Sequence, residues 1–213
     1  MLQRAIDNVH KWCIENDMIL SAPKCAVLCL KNRHSYLLDG NVLPIVNSIR
    51  DLGVTMTPEL DFGLHITNTI QAASLICNMI FRSFILKRPA FYLSLYKSLV
   101  IPKFLYCCET WRPYLKKHLE AIERVQSKFI RRVSLRCNVE RNTVELSSIS
   151  QLHTESDQRM YNRILRTNTL SHYLIARQNN LRSTQTVTAL EVARTERVNN
   201  VFSWRIARQL RSQ

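Results

Sequence analysis

The chain reads as an α+β protein: an N-terminal helix and a small antiparallel sheet, followed by a mostly helical bundle. Three observations predict this. Apolar residues recur at three- and four-residue steps from the start, at Leu2, Ala5, Ile6, Val9, Trp12 and Cys13. Short apolar runs with turn signals fill residues 25–56. From His65 onward the apolar period is 3.6 almost throughout, the signature of helices with one buried face.

The first pattern predicts an amphipathic helix over 2–16. Pro23 biases Ala22 away from the helical region and redirects the backbone. Residues 25–30 (CAVLCL) form a short apolar run expected to be a buried strand, and residues 31–34 a polar turn. Tyr36, Leu37 and Leu38 then precede Asp39 and Gly40, with Val42 and Leu43 after them, a strong hairpin signal with a loop of two or three residues. Residues 48–56 are expected to add another strand, with Gly53 marking a bulge or a close approach of another backbone.

Ile66, Ile70, Ala73, Cys77, Ile80, Phe81 and Phe84 mark one face of a long helix. Pro89 suits the first turn of the next, where no amide hydrogen is needed, and Tyr92, Leu95, Tyr96, Leu99 and Val100 supply its buried stripe. Pro102 should kink or interrupt that helix, and Pro113 should close its continuation through Trp111. Over 116–136, Leu119, Ile122, Val125, Phe129, Ile130 and Val133 fall on one side while Lys117, Arg124, Lys128 and Arg131 gather on the other. Residues 137–154 read as a loop with a short turn, and 155–177 as a basic helix pair carrying Arg159, Arg163 and Arg166. Residues 179–189 read as a polar loop, and 192–210 as a last helix.

The 213 residues are 46% hydrophobic, enough for a proper core, and three Gly with six Pro argue against an all-β sandwich. No apolar run approaches the roughly 18 residues of a membrane span, and the start lacks a signal-peptide layout. Seven cysteines without regular spacing suit free, buried thiols in a reducing intracellular compartment, nucleus or cytoplasm. Cys25 with Cys29 and Cys107 with Cys108 have no CxxC or His partner, so no zinc site is nominated.

Charge discriminates more sharply. The net charge is +14, of which residues 1–111 carry +3 and residues 112–213 carry +11. Such polarisation points to a polyanion held by the C-terminal half, and the Arg-rich balance there suits phosphate. A solvated face is the ordinary reason for a charged helix side, but a single-sign face repels itself unless a polyanion neutralises it. Anionic membrane is the rival partner, and an acidic protein meeting a helical interaction module is another. No P-loop, nucleotide-binding Gly fingerprint or HExxH is present, and the six His lie scattered. Two-metal phosphoryl transfer needs clustered carboxylates, yet there is no adjacent Asp pair, and Asp7, Asp39, Asp51, Asp61 and Asp157 lie on unrelated elements.

An ordered succession of blocks resembles the reverse transcriptases of non-LTR (LINE-type) retrotransposons, in the part that follows their catalytic aspartates. Leu2, Gln3, Ile6, Asp7, Trp12, Lys24 and Cys25 open it. The Asp39, Gly40 hairpin, the run RDLGV at 50–54, then Leu60, Phe62, His65 and Ile66 form the next block. Arg82, Leu95, Tyr96, the run LVIP at 99–102, Tyr106, Trp111 and Pro113 continue it, and Ile122, Glu123, Val125, Gln126 and Phe129 match the thumb-region helix. Weaker likeness reaches Arg159, Arg194, Phe202 and Arg205. Ser21 stands where the family usually has Asn, the Asp-Asp motif is not in the chain, and the customary Trp-Asn-x-Leu-Pro-like end is not reached.

The resemblance implies three parts: the end of a polymerase palm with a primer-holding hairpin over 1–62, a helical thumb over 63–138, and a basic helical extension over 139–213. It implies that Lys24 is a leaving-group proton donor, although a loop lysine at a strand start explains that position as well. It implies that Asp51, Leu52 and Gly53 hold a primer 3′ end, and that Lys117, Arg124, Lys128 and Arg131 track a template–primer backbone. The full-length family uses magnesium; without the aspartates this chain is expected to need no cofactor or metal and to be inactive alone. A truncated element is the corresponding expectation, as is an isolated chain whose palm sheet lacks partner strands.

Overall fold

The computed structural model describes residues 2–29, 34–167 and 205–206. The chain divides into two compact units, Met1–His65 and Ile66–Gln213.

The first unit opens with α1 (Leu2–Glu15), as the apolar spacing predicts. Asp17 stops it by taking a positive φ of 55°, and the Met18 amide donates back to the Cys13 carbonyl at 2.8 Å, a left-handed terminus that satisfies an otherwise orphaned carbonyl. A 3-10 turn over Ala22–Lys24 follows Ser21, with Pro23 inside it. Two separate hairpins come next. In the first, β1 (Leu37–Leu38) pairs antiparallel with β2 (Asn41–Val42) through a two-residue loop. Both loop residues have positive φ, 51° at Asp39 and 72° at Gly40, the requirement of the tightest hairpin turn. The Gln3 side chain of α1 serves as a surrogate strand residue here. Its amide donates to the Leu37 carbonyl and accepts from the Leu37 amide, both at 2.9 Å.

Two strand expectations need correction. Residues 25–30 are no buried strand: within 25–29, Val27 alone makes a bridge, parallel to Ile45, while the Val27 amide donates to Pro44 and its carbonyl accepts from Val46. Residues 25–29 are all only half-buried, so the apolar run packs partly without a neighbouring strand pairing along it. Residues 48–56 are not one strand but a second hairpin, β3 (Ile49–Asp51) against β4 (Val54–Met56), registered Ile49 to Met56 and Asp51 to Val54. Gly53 is therefore a turn residue at φ 86°, not a bulge. The turn that the family resemblance implies at 51–53 is present. The His65 ring accepts from the Thr55 amide at 3.3 Å, fixing β4 against the chain entering the next helix.

The second unit is helical. Asp61 accepts from the Gly63 amide at 2.9 Å where α2 (Gly63–Ser83) begins. On its predicted face Ile66, Ala73, Cys77, Ile80 and Phe81 are buried, whereas Phe84 falls past the end of the helix and is exposed. α3 (Pro89–Leu95) starts on Pro89 at its first turn. Pro102 acts upstream of itself. Residues Tyr96–Val100 widen into a π-helical turn, the Ile101 amide reaches back to the Tyr96 carbonyl, and α4 (Ile101–Leu105) resumes with Pro102 at its N-terminus. Proline has no amide to donate and crowds the preceding turn, so one wide turn absorbs it without ending the helix.

Cys107 at φ 51° turns the chain into the short α5 (Cys108–Trp111), and Arg112 to Leu115 lead to α6 (Lys116–Cys137). Tyr92, Tyr96, Val100, Phe104, Trp111, Phe129 and Val133 are essentially inaccessible to solvent. The Phe129 ring lies 4.5 Å from Tyr96 and 5.1 Å from Phe81, and Phe81 stacks on Tyr92 at 5.2 Å. Each such side chain contributes roughly 1.5–3 kcal/mol on leaving water, so this cluster is the main cohesive element of the unit.

After a 3-10 turn at Arg141–Thr143, α7 spans Ile149–Thr167, starting six residues before the sequence reading placed it. The reason is a serine N-cap. The Ser148 hydroxyl accepts from the Gln151 amide at 3.1 Å, and Ser-x-x-Gln is a helix-start signature. The rest of the expected 155–177 pair, the 179–189 loop and most of the 192–210 helix lie outside the described residues. Arg205 and Ile206 are helical and buried.

Candidate nucleic-acid interface

α6 presents the one extended single-sign face among the described elements that the sequence nominated. Lys117, Arg124, Lys128 and Arg131 are all exposed. At 100° per residue they fall within about 60° of arc, and at 1.5 Å per residue they run for about 21 Å along the helix. Two acidic residues share α6, and exposed Glu120 sits at the edge of the stripe, three residues from Lys117 and four from Arg124. Glu120 approaches Lys116 at 3.8 Å, and Glu123 accepts from the Ser150 amide at 3.0 Å. Four exposed cations against the one exposed carboxylate of α6 leave the stripe net positive. On α7, Arg159, Arg163 and Arg166 are exposed at helical spacing as well.

Beside the stripe, α6 and α2 form the walls of a groove of about 530 Å³. Lys128, Arg131, Arg132 and Leu135 line it from α6, and Ser74 and Asn78 from α2, over an apolar floor that includes Cys77, Val125 and Phe129. Arg132 was not singled out by the sequence. It sits one step round the helix from the stripe, with its guanidinium 4.2 Å above the Phe81 ring and donating to Asn78 Oδ1 at 2.5 Å. Arg136, one turn further, donates to the Phe81 and Phe84 carbonyls and so closes the C-terminal end of α2. The two arginines have the same sequence signature, and their different uses follow from the neighbouring helix.

Lys24, Asp51, Leu52 and Gly53 lie in the first unit, the four α6 cations in the second. Lys24 is exposed and ends the 3-10 turn. Asp51 is exposed at the end of β3, and Leu52 is 82% exposed at a φ of 44°. A leucine in left-handed backbone at a solvent-facing tip is costly on two grounds, strain and apolar exposure, and such positions concentrate where something else makes contact.

The most heavily buried charges lie elsewhere. Asp157 is fully buried between Arg112, at 2.5 Å, and Arg205, at 2.7 Å. His153, one turn back on α7, holds the Phe104 carbonyl at 2.9 Å and sets its ring edge-on to Trp111. Burial lowers its pKa from the usual value, and because a carbonyl can only accept, Nε2 is the donor to Phe104. Asp157, Arg112, Arg205 and His153 Nε2 all bind protein groups, which marks a structural network, while the buried His153 Nδ1 has no hydrogen-bond partner. Among the described residues no group of three His, Cys, Asp or Glu side chains could hold a metal ion, and no helix is long and apolar enough to cross a membrane.

No family model matches the chain, and no solved structure does. Curated sequences do match, and they place its relatives among the RNA-directed DNA polymerases of non-LTR retrotransposons, as the block resemblance implied. The relative from Drosophila melanogaster is the RNA-directed DNA polymerase from mobile element jockey, 30% identical over 143 residues. The jockey polymerase of Drosophila funebris is 24% identical over 148 residues. Each match covers 62% of this chain and 15% of the relative. The chain thus spans a small part of the length of the proteins it resembles.

Proposed function

We propose that the chain is a reverse-transcriptase-related fragment that binds nucleic acid without reading its sequence, through the cationic stripe of α6. The observation that carries this reading is the stripe itself: four exposed cations of one sign on a well-packed helix, in a chain whose relatives polymerise DNA on RNA. Contacts from Lys and Arg to phosphate position a duplex without specifying bases. On the family resemblance, the second hairpin tip at Asp51, Leu52 and Gly53 is the primer-holding turn, the helices over 63–138 are the thumb, and Lys24 is the proton donor to a leaving pyrophosphate. Inertness of the chain alone in polymerisation belongs to the same proposal: no two of its aspartates are adjacent in sequence, and among the described residues no three His, Cys, Asp or Glu side chains gather to hold a metal ion.

The test is a titration of the full chain into an RNA–DNA duplex at rising salt, with a parallel primer-extension assay in magnesium. Affinity should fall linearly on a log–log plot as counterions are released, with no nucleotide incorporated. Binding insensitive to salt contradicts the phosphate reading, and primer extension contradicts inertness. A basic helical module for acidic proteins is the alternative, and a preference for polyglutamate over duplex would favour it.

A further inference from the structure

We propose that the groove between α2 and α6 is a second, built anion seat for a phosphodiester backbone, with Arg132 as its ligand and Asn78 as the residue that positions Arg132. The inference rests on the nucleic-acid reading above and adds the residues of a wall which that reading does not use.

Three features support it. The groove lining is electrostatically one-sided: among the described residues Lys128, Arg131 and Arg132 are its charged members, and no carboxylate lines it. A polyanion is the complementary occupant. Arg132 is also held before any ligand arrives. Its flat face rests on the Phe81 ring and one donor is taken by Asn78 Oδ1, so its orientation is set from two directions. A guanidinium carries five donors, and a positioned fork loses little freedom on gripping phosphate. Finally, the remaining lining suits the rest of a backbone. Ser74 and Asn78 offer polar groups on α2, while Val125, Leu135 and the arginine stem offer apolar surface for sugar. The volume of about 530 Å³ falls within the range of small-ligand clefts, enough for a short backbone segment and too small for a duplex. One strand therefore enters the groove, whether it belongs to a duplex or is unpaired.

The experiment measures fluorescence anisotropy of a labelled RNA–DNA duplex and of a single-stranded oligonucleotide against salt, using the full chain. Arg132→Gln should weaken binding and reduce the magnitude of the log–log salt slope by about 0.9 for duplex or about 0.7 for single strand, one phosphate contact. Asn78→Ala keeps every charge, so the slope should persist while affinity falls about threefold. Arg132→Lys should retain the slope and lose affinity, because the planar fork is gone. Circular dichroism checks that each variant folds, and Asn78→Ala, an exposed helix position, keeps the test valid if Arg132→Gln does not. If the wild-type chain binds with a salt slope, Arg132→Gln leaves both slope and affinity unchanged and Asn78→Ala leaves affinity unchanged, the groove inference is wrong and the stripe reading stands. If Lys117→Glu with Arg124→Glu leaves binding intact while Arg132→Gln abolishes it, the groove alone is the site. If the wild-type chain binds polyglutamate and no oligonucleotide, both readings fail.

Discussion

Arg205 donates from Nε and Nη2 to the two carboxylate oxygens of Asp157, at 2.7 Å each, across 48 residues of sequence. A third bond, to the Glu109 carbonyl at 2.9 Å, attaches the same guanidinium to α5. The carboxylate also receives Arg112, whose other arm reaches Thr154 at 2.9 Å. One buried anion thus joins α5, α7 and the segment carrying Arg205.

Removing one partner from such a network leaves the other charged and dry. Arg205→Met should cost about 3 kcal/mol, the low end for breaking a buried pair because Arg112 remains. Asp157→Leu, which strands two guanidiniums, should cost more than Arg205→Met. Urea denaturation of the three proteins gives the order directly, and a smaller loss for Asp157→Leu contradicts the network as described.

His153 sets an acid limit. Burial lowers its pKa in the fold, opposed by the Phe104 carbonyl bond and by Asp157, with Arg112 and Arg205 lowering it further. His65 is lowered as well, by burial and then by Arg50. A histidine whose folded pKa lies below its unfolded value contributes stability above the unfolded pKa and loses it as pH falls. The melting temperature should therefore drop as pH is lowered from about 6.5, the usual histidine value. In His153→Phe the baseline should be lower, from loss of the Phe104 bond, but the pH slope shallower. An unchanged slope assigns the acid sensitivity elsewhere.

Thiol reactivity should sort by environment. All seven cysteines are free, and burial pushes both Cys77 and Cys108 up to about 11. The thiolate is the nucleophile, so these two should alkylate slowest at neutral pH in the folded chain, and Cys25 and Cys29, half-buried, faster. Iodoacetamide labelling followed by peptide mass mapping reads the order. Rapid modification of Cys108 contradicts the packing around α5.

Gly40 tests backbone geometry apart from packing. A Cβ there meets no atom within 4 Å, so any cost of Gly40→Ala comes from its φ of 72°. That cost should be about 1 kcal/mol, lost from the first unit, with nucleic-acid binding unchanged. Hydrogen exchange at the Leu37 and Asn41 amides would register it.

How much of this was legible in the sequence depended on the range of the interactions. α6 could be read because a periodic stripe over 22 residues is a local signal, and its four cations are exposed as that stripe implies. The Asp39, Gly40 turn was legible because Asp-Gly tolerates two positive φ angles. The Leu52, Gly53 turn was not legible from periodicity, because leucine is a poor turn residue and the flanking β-branched run masks it; the family resemblance located it. The α7 start carried a helix-start signal, Ser148 three residues before Gln151, which apolar periodicity does not register. Arg132 and the Asp157 network had no local signal at all. Their partners lie 45 to 54 residues away, and helix packing alone brings them together.

The central claim is that the α6 stripe holds phosphate, and charge reversal tests it most directly. The variant Arg124→Glu, Lys128→Glu, Arg131→Glu should retain the helical circular dichroism of the parent, since all three side chains are exposed. Its affinity for an RNA–DNA duplex near 0.1 M salt should fall at least a hundredfold, and its salt slope should shrink by about 2.7, three phosphate contacts. A folded variant that binds duplex with the parent's affinity and slope would contradict the claim.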